Sequence, residues 1–449
     1  MSSSTAQSTP PHWASRYRVL LRLALPLMGT TLSTNMMSLV NLALVGTLGY
    51  QSLAAVGIAN VIILNLTSFF NGLGYSLTFF VAREGHPSPR GAINQWAGAG
   101  FYSAATVSVI VCIASLFLPH VVYAVMGVHR TVLILGVAYL KWRLLALCFR
   151  VPNNTLSGVL KGLGQTRPVL GASLVANVAN VGLTTLFVES HRGLVGAGQA
   201  FFMAEVLGFL VIFVASWRSA FAGRFPSNPR RRQLASVLGE GLKIGISEIG
   251  MTASMIVFTF FVARFGSTSL AASEIALNLL SLLYMPGVAL GSAGTIMIGR
   301  LFGTYDVPQI KRAARDIFAL GAGVFIVICG LLALLSARVP MLFTSSPAVQ
   351  HEAGHILMLA AVFLTFDGGQ LMIEGFLRGV GDNTFTMWMS VLLGWVGFIP
   401  FAYLFAFIWH GHTIGVWLAF YLYIVVLFTA YTWRFIRFPW SRIRQNRET

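Results

Sequence analysis

Gly158-Val159-Leu160-Lys161-Gly162-Leu163-Gly164 returns 217 residues later as Gly375-Phe376-Leu377-Arg378-Gly379-Val380-Gly381. The same offset carries Ser52-Leu53-Ala54-Ala55 onto Ser269-Leu270-Ala271-Ala272, Ile58-Ala59 onto Ile275-Ala276, Gly74 onto Gly291 and Arg83 onto Arg300. One offset that holds from Ser52 to Gly164 marks a chain built of two like halves. The residues around these motifs say what the halves are made of. Of 449 residues 56% are hydrophobic, a further 45 are glycine, only 10% are charged, and the mean hydropathy is +0.76. Soluble domains run at about 45–50% apolar and about 25% charged. Such an excess excludes a soluble enzyme, a disordered chain and a fibrous repeat, and leaves a polytopic membrane protein.

Apolar windows between glycine, proline and charge punctuation give twelve spans, near 18–46, 51–81, 91–119, 131–161, 168–188, 194–217, 236–265, 269–300, 312–338, 350–378, 384–408 and 413–434. The runs are too long and too little alternating for barrel strands, so every backbone amide must be bonded within a helix. The predicted fold is all-α, twelve transmembrane helices in two pseudo-symmetric six-helix lobes. It comprises a tail at 1–17, a first lobe at 18–217, a basic linker at 218–235 holding Arg230-Arg231-Arg232, a second lobe at 236–434 and a basic tail at 435–449. Residues 1–15 are polar and precede an apolar run without a small-residue cleavage site, which points to a retained first span.

The net charge of +17 reads as an orientation device, with no nucleic-acid partner. With the termini on one side, 23 of the 30 Lys and Arg fall on that side. Four, Arg130, Arg192, Arg264 and Arg338, fall on the other, and Lys141, Arg143 and Arg150 lie in span 4. The positive-inside rule then puts both termini in the cytoplasm. Two six-span halves share one orientation and are related by an axis along the membrane normal, an architecture that favours a transporter with its site between halves over a channel. Three cysteines, Cys112, Cys148 and Cys329, have no paired spacing, so neither a disulfide nor a metal is expected.

Leu25-Pro26, Gly46 with Ser52-Leu-Ala-Ala-Val56, Leu160-Lys-Gly-Leu-Gly164 with Thr166-Arg167, Ile275-Ala-Leu-Asn278, Met285-Pro286, Gly299-Arg300 and, most specifically, Asp367-Gly-Gly-Gln370 leading to Leu377-Arg378-Gly379 form an ordered set. Together they resemble the multidrug and toxic compound extrusion (MATE) family, in its NorM-like form, along nearly the whole chain. The resemblance implies two lobes in a V that export organic cations in exchange for Na+ or H+, with no cofactor. It also implies departures from the family's pattern. The family's span-1 acid falls at Asn41, and its span-5 Asn and Asp at Asn180 and Thr184. Ser247 stands at the span-7 proline position, Met255 at the acid that should follow it, and Phe363 at a usual tyrosine.

Acids inside spans are costly and mark function by default. Asp367, Gln370, Leu371 and Glu374 recur at helical spacing on one face of span 10. A carboxyl group in a low-dielectric cavity holds a proton more readily than one in water, and with neighbouring oxygens it can hold Na+ instead. Asp367 is the expected principal coupling group, with Gln370, Glu374, Glu248 and Glu274 as further candidates. Glu374 is one turn from Arg378, and Glu248 is expected to meet Lys243. The expected first-lobe cavity residues are Asn41, Asn180, Thr184, Arg150, Asn153, Asn154, Glu205 and Pro26. Arg150 falls opposite Asp367 at the 217 offset and is expected to snorkel, to compensate Asp367 or to contact an anionic group, while Glu205 has no evident partner.

Pro26, Pro152 and Pro286 inside spans are expected to free carbonyls. Aromatics at 12% suit flat, greasy cations through stacking and cation–π contact. The literal HExxH at His351–His355, with Glu374 beyond it, is rejected as a zinc site because one helix would separate them by about 28 Å. The expected partners are a small organic substrate and the lipid bilayer, for a monomer in a bacterial inner membrane. The alternatives are a dedicated exporter or flippase of one metabolite or lipid-linked compound, an ion channel and a membrane metallopeptidase.

Overall fold

A computed structural model describes residues 13–440 except 49, 85–89, 126–128, 189, 191–192, 222, 224–225 and 227–228. Both tail ends, Arg192 and Arg224 of the counted basic residues therefore lie outside the described residues. All regular structure among the described residues is helical. The twelve spans are Trp13–Gly46, Tyr50–Arg83, Arg90–Val125, Arg130–Gly162, Thr166–Phe187, Gly193–Ser219, Arg231–Ala263, Ser267–Gly303, Val307–Leu335, Pro347–Val380, Asn383–Ile408 and His412–Ile436. Span 1 starts five residues before its hydropathy window, and so does span 7, because helix outlasts apolarity at the membrane boundary. Arg231 and Arg232 accordingly sit in the first turn of span 7, not in a loop. The backbone N–H of Arg230 is capped there by the Gln233 side chain at 3.2 Å. Ile110, Phe117, Val178 and Ile326 are among many large apolar side chains turned outward, a surface matched to lipid tails.

The duplication is realised atom by atom. Thr78 donates to the Gly74 and Gly158 carbonyls at 3.0 and 3.1 Å, and Thr295, 217 residues on, donates to Gly291 and Gly375 at 3.1 and 2.8 Å. Spans 2 and 4, and likewise 8 and 10, approach so closely at these glycines that a Cβ on Gly158 would strike the Gly74 carbonyl and one on Gly375 the Gly291 carbonyl. Small residues at helix contacts are how membrane helices gain packing where lipid gives no hydrophobic drive.

The prolines behave in two ways. Pro26 and Pro152 remain inside unbroken helices, and the carbonyls they orphan find partners on other spans. Arg22 O accepts from Thr166 at 3.4 Å, and Cys148 O accepts from Ser108 at 2.6 Å. Pro286 stands just after a break at Tyr284 that divides span 8 into Ser267–Leu283 and Met285–Gly303. Pro119 in span 3 and Pro400 in span 11 also lie inside spans, the latter between two wide turns at Leu393–Phe398 and Leu404–Ile408.

The lobes meet toward the face that carries the start of span 1 and the end of span 12, here the near face. Gly72 of span 2 lies against Gly241 and Gly245 of span 7, Gly303 against the Arg83 carbonyl, and Gly381 against Phe79. Ser76 donates to Val237 O at 3.3 Å and Arg300 to Gly162 O at 3.3 Å. All of these contacts use the second half of span 2 and its equivalents, so the lobes are locked from the near face inward.

Candidate functional site

The first lobe encloses a cavity of about 540 Å³ between spans 1, 2, 4, 5 and 6. Asn41, Arg150, Asn153, Asn154 and Glu205 line it, as expected from sequence. Arg150 neither snorkels nor faces Asp367. Its Nη1 donates to Glu205 Oε1 of span 6 at 3.0 Å, giving each the partner that sequence reading missed. The two are 55 residues apart on different helices, a separation at which periodicity carries no signal. Asn154 donates to Asn71 at 2.6 Å, fixing the middle of span 4 against span 2, and Ser157 donates to Asn153 one turn away at 3.5 Å. Pro26, Asn180 and Thr184 are not in the lining. Asn180 and Thr184 are fully buried, and neither the Asn180 amide nor the Thr184 hydroxyl has a hydrogen-bond partner among the described residues.

In the second lobe the candidate residues separate into two groups. Gln370 Nε2 donates to Glu374 Oε2 at 2.9 Å, and Arg378 Nη2 donates to Glu374 Oε1 at 2.6 Å and to Glu248 Oε1 at 2.8 Å. The guanidinium of Arg378 also lies 4.6 Å from the ring centroid of Tyr75, across the lobe interface. Glu248 therefore does not meet Lys243. Five residues apart on one helix, they point different ways, and Lys243 instead pairs at i, i+3 with Glu240 at 2.6 Å.

Asp367 stands apart, about 10 Å up the helix from Glu374 by its rise. Among the described residues it has no hydrogen bond or ion pair, whereas Glu205, Glu248 and Glu374 are all paired to arginine. On span 12, which packs against span 10, the hydroxyls of Tyr421 and Tyr423 are buried without a hydrogen-bond partner among the described residues. Phe363, one turn before Asp367, stacks on Tyr421 at 5.2 Å between centroids. Nothing in the spacing of these tyrosines links them to span 10. Glu274 is exposed and outside both groups, its backbone carbonyl taking a bond from Asn278 at 2.9 Å.

The MatE family model matches this chain twice, over 26–186 and 244–404, one copy in each lobe. The chain belongs to the MATE family. Its relatives include the "Probable multidrug resistance protein NorM" of Bradyrhizobium diazoefficiens, 26% identical over 93% of both chains. They also include the multidrug resistance protein MdtK of Yersinia pseudotuberculosis, 26% identical over 86% of this chain and 87% of that one. Among solved structures, a MOP superfamily transporter from Pyrococcus furiosus superposes with a TM-score of 0.85 at 22% identity, over 96% of this chain and 97% of that one. An outward-facing multidrug resistance MATE transporter superposes with a TM-score of 0.84 at 20% identity over the same shares.

MATE transporters are membrane transporters coupled to cations, and a polar cavity in the first lobe with a cluster of carboxylates and arginine in the second agrees with that. In this MATE chain spans 1 and 5 run parallel at a fixed register. Thr166 bonds Arg22 O, and Asn177 bonds Ser33 at 2.5 Å, both at a separation of 144 residues. The same register sets Asn41 level with Thr184. Asn41 and Thr184, which stand where the resemblance leads one to expect acids, thus belong to one depth, with Asn180 one turn away and no carboxylate among the three. The HExxH segment opens span 10 as part of one helix, Pro347–Val380, which carries Glu374 away along the axis, and His351 and His355 meet edge to face at 4.4 Å between ring centroids. No group of three metal-ligating side chains occurs among the described residues.

Proposed function

We propose that this MATE chain is a secondary antiporter that exports amphiphilic organic compounds in exchange for Na+ or H+, with no cofactor and no catalytic chemistry. Alternating access comes from the lobes rocking about the glycine contacts of the near face. That face is cytoplasmic, with both termini, and the chain works as a monomer in the bacterial inner membrane. The observation that carries this reading is Asp367. A carboxyl group mid-span that is unpaired among the described residues, on a helix packed against the span that carries two buried hydroxyls without partners there, is a site suited to a cation. A proton would neutralise it, and Na+ would be held by the same carboxylate and hydroxyl oxygens. Glu374 and Glu248, fixed by Arg378 with Gln370, form a latch at the lobe interface that responds to loading rather than binding the ion. Glu274 has no part in this chemistry on present geometry. Organic cations, the class the resemblance implies, would meet in the first-lobe cavity three cationic side chains, Arg143, Arg150 and Lys161, and one carboxylate already bonded to arginine.

The test is efflux from proteoliposomes loaded with rhodamine 6G or fluorescein under an imposed sodium or proton gradient, with wild type and Asp367→Asn at matched insertion. One gradient should drive export by the wild type, and Asp367→Asn should lose at least about tenfold of that driven rate, the loss of a group on which coupling depends. Equal driven export by Asp367→Asn refutes the assignment and moves coupling to Glu205, Glu248 or Glu274.

A further inference from the structure

Span 4 carries a stripe of cations along one face. Arg143, Arg150, Asn154, Ser157 and Lys161 follow at steps of seven, four, three and four residues, and all five line the first-lobe cavity. By helical rise Arg150 lies about 10 Å from Arg143 and about 16 Å from Lys161. Only Arg150 has a counter-charge, Glu205. Arg143 and Lys161 have no ion pair among the described residues. Arg143 is instead set flat on Phe201, 3.7 Å from its centroid, and donates to the Tyr139 hydroxyl at 3.4 Å. The Asn41 amide in the same lining has a buried Nδ2 with no acceptor.

The duplicated face of span 10 is more acidic: at the 217 offset Arg150 becomes Asp367 and Ser157 becomes Glu374, while Arg143 becomes Ala360 and Lys161 stays cationic as Arg378. Unpaired cations at membrane depth are tolerated where they face a cavity and its occupant. The cavity wall adds Met37, Ile63, Leu64, Val169 and Phe201, enough apolar surface to hold a hydrocarbon body. A volume of this size falls in the range of about 300–1,000 Å³ usual for small-molecule sites.

We infer that the first-lobe cavity binds amphiphilic organic anions, with Arg143 as the anion-binding residue and its Phe201-backed face as a platform for a ring. This deepens the antiport reading and rests on it for the direction of movement. A carboxylate or sulfonate would accept bonds from the Arg143 fork, charge-assisted bonds that are about twice as strong as neutral ones. Lys161, about 27 Å further along span 4 by helical rise, lies beyond the reach of the same anion. The occupant brings the negative charge that the first lobe lacks, while the coupling cation loads separately at Asp367.

The test uses the full chain in neutral detergent and two xanthene dyes of like shape and opposite charge, fluorescein and rhodamine 6G. Equilibrium binding read by fluorescence anisotropy needs no ion gradient, so it separates this inference from the coupling. Fluorescein should bind about tenfold or more tightly than rhodamine 6G. Arg143→Gln should weaken fluorescein about tenfold without weakening rhodamine 6G, Arg143→Lys should restore much of it, and Lys161→Gln should leave it within about twofold. The lysine variant keeps the charge and shows that the glutamine variant was not merely misfolded. Preference for rhodamine 6G, equal losses for both dyes, or binding of neither overturns the inference. Loss of bound fluorescein on adding phosphatidylglycerol to the micelles leaves the anion site standing and names an anionic lipid as its occupant. Charge-selective binding without gradient-driven efflux leaves the inference standing and removes the antiport reading. Coupled efflux lost in Asp367→Asn without charge-selective binding does the reverse.

Discussion

Gly72→Ala should unlock the near face. A Cβ built on Gly72 collides with the Gly241 carbonyl and comes within 2.7 Å of the Gly245 amide nitrogen, both backbone atoms of the opposite lobe. Backbone cannot swing aside as a side-chain tip can, so the contact must open or the helices must part. Overpacking a tight contact costs about 1–3 kcal/mol. Because the collision exists only where the lobes touch, that cost falls on the closed near face and not on the open one. The population ratio should therefore shift toward the open arrangement by about 5- to 150-fold. Gly57, on the same span with nothing within 4 Å of its added Cβ, supplies the control.

The assay is pulsed electron–electron distance measurement between nitroxides at Arg167→Cys and Arg312→Cys, one exposed near-face site on each lobe, with Cys112, Cys148 and Cys329 replaced by serine. Wild type and Gly57→Ala should share one distance distribution, and Gly72→Ala should gain a longer component. An unchanged distribution in well-folded Gly72→Ala protein would refute the argument that this glycine contact holds the lobes together.

Three further outcomes are expected. Arg378→Met leaves Glu248 and Glu374 without their counter-charge, and removing one partner of a buried pair costs about 3–5 kcal/mol, so the detergent-solubilised protein should melt earlier. Adding Glu248→Gln and Glu374→Gln to that variant should recover much of the loss. Ser108→Ala strands the carbonyl that Pro152 frees and should cost about 1–3 kcal/mol in the same thermal assay, whereas Ser108→Thr should hold it. Asn41→Asp restores an acid where none is used, so ion-driven efflux should stay within about twofold of wild type, a change too small to count as coupling energy; a larger gain would locate a second coupling site in the first lobe.

How far the sequence carried the site differs from residue to residue. Glu374 with Arg378 was legible because an i, i+4 pair is a property of one helix. Arg378 with Glu248 and Arg150 with Glu205 were not. Each joins helices whose separation in sequence says nothing about which faces meet. Lys243 and Glu248 show the opposite error, a proximity in sequence that helical rotation turns into separation. The break at Tyr284 was foreshadowed by Pro286. The continuity of spans 1 and 4 through Pro26 and Pro152 depended on hydroxyls from spans 5 and 3 that no local rule selects.

What the sequence determined by itself is whatever composition and period decide: twelve helices, two lobes related by the 217-residue offset, and an acid on a polar face of span 10. Those follow from the cost of unbonded amides in lipid and from the geometry of one helix. What the tertiary structure alone decided is which charges cancel. Arg150 spends its charge on Glu205 and Arg378 on two carboxylates, while Asp367, Arg143 and Lys161 keep theirs. Pairing is a contact between helices, and only packing brings those faces together.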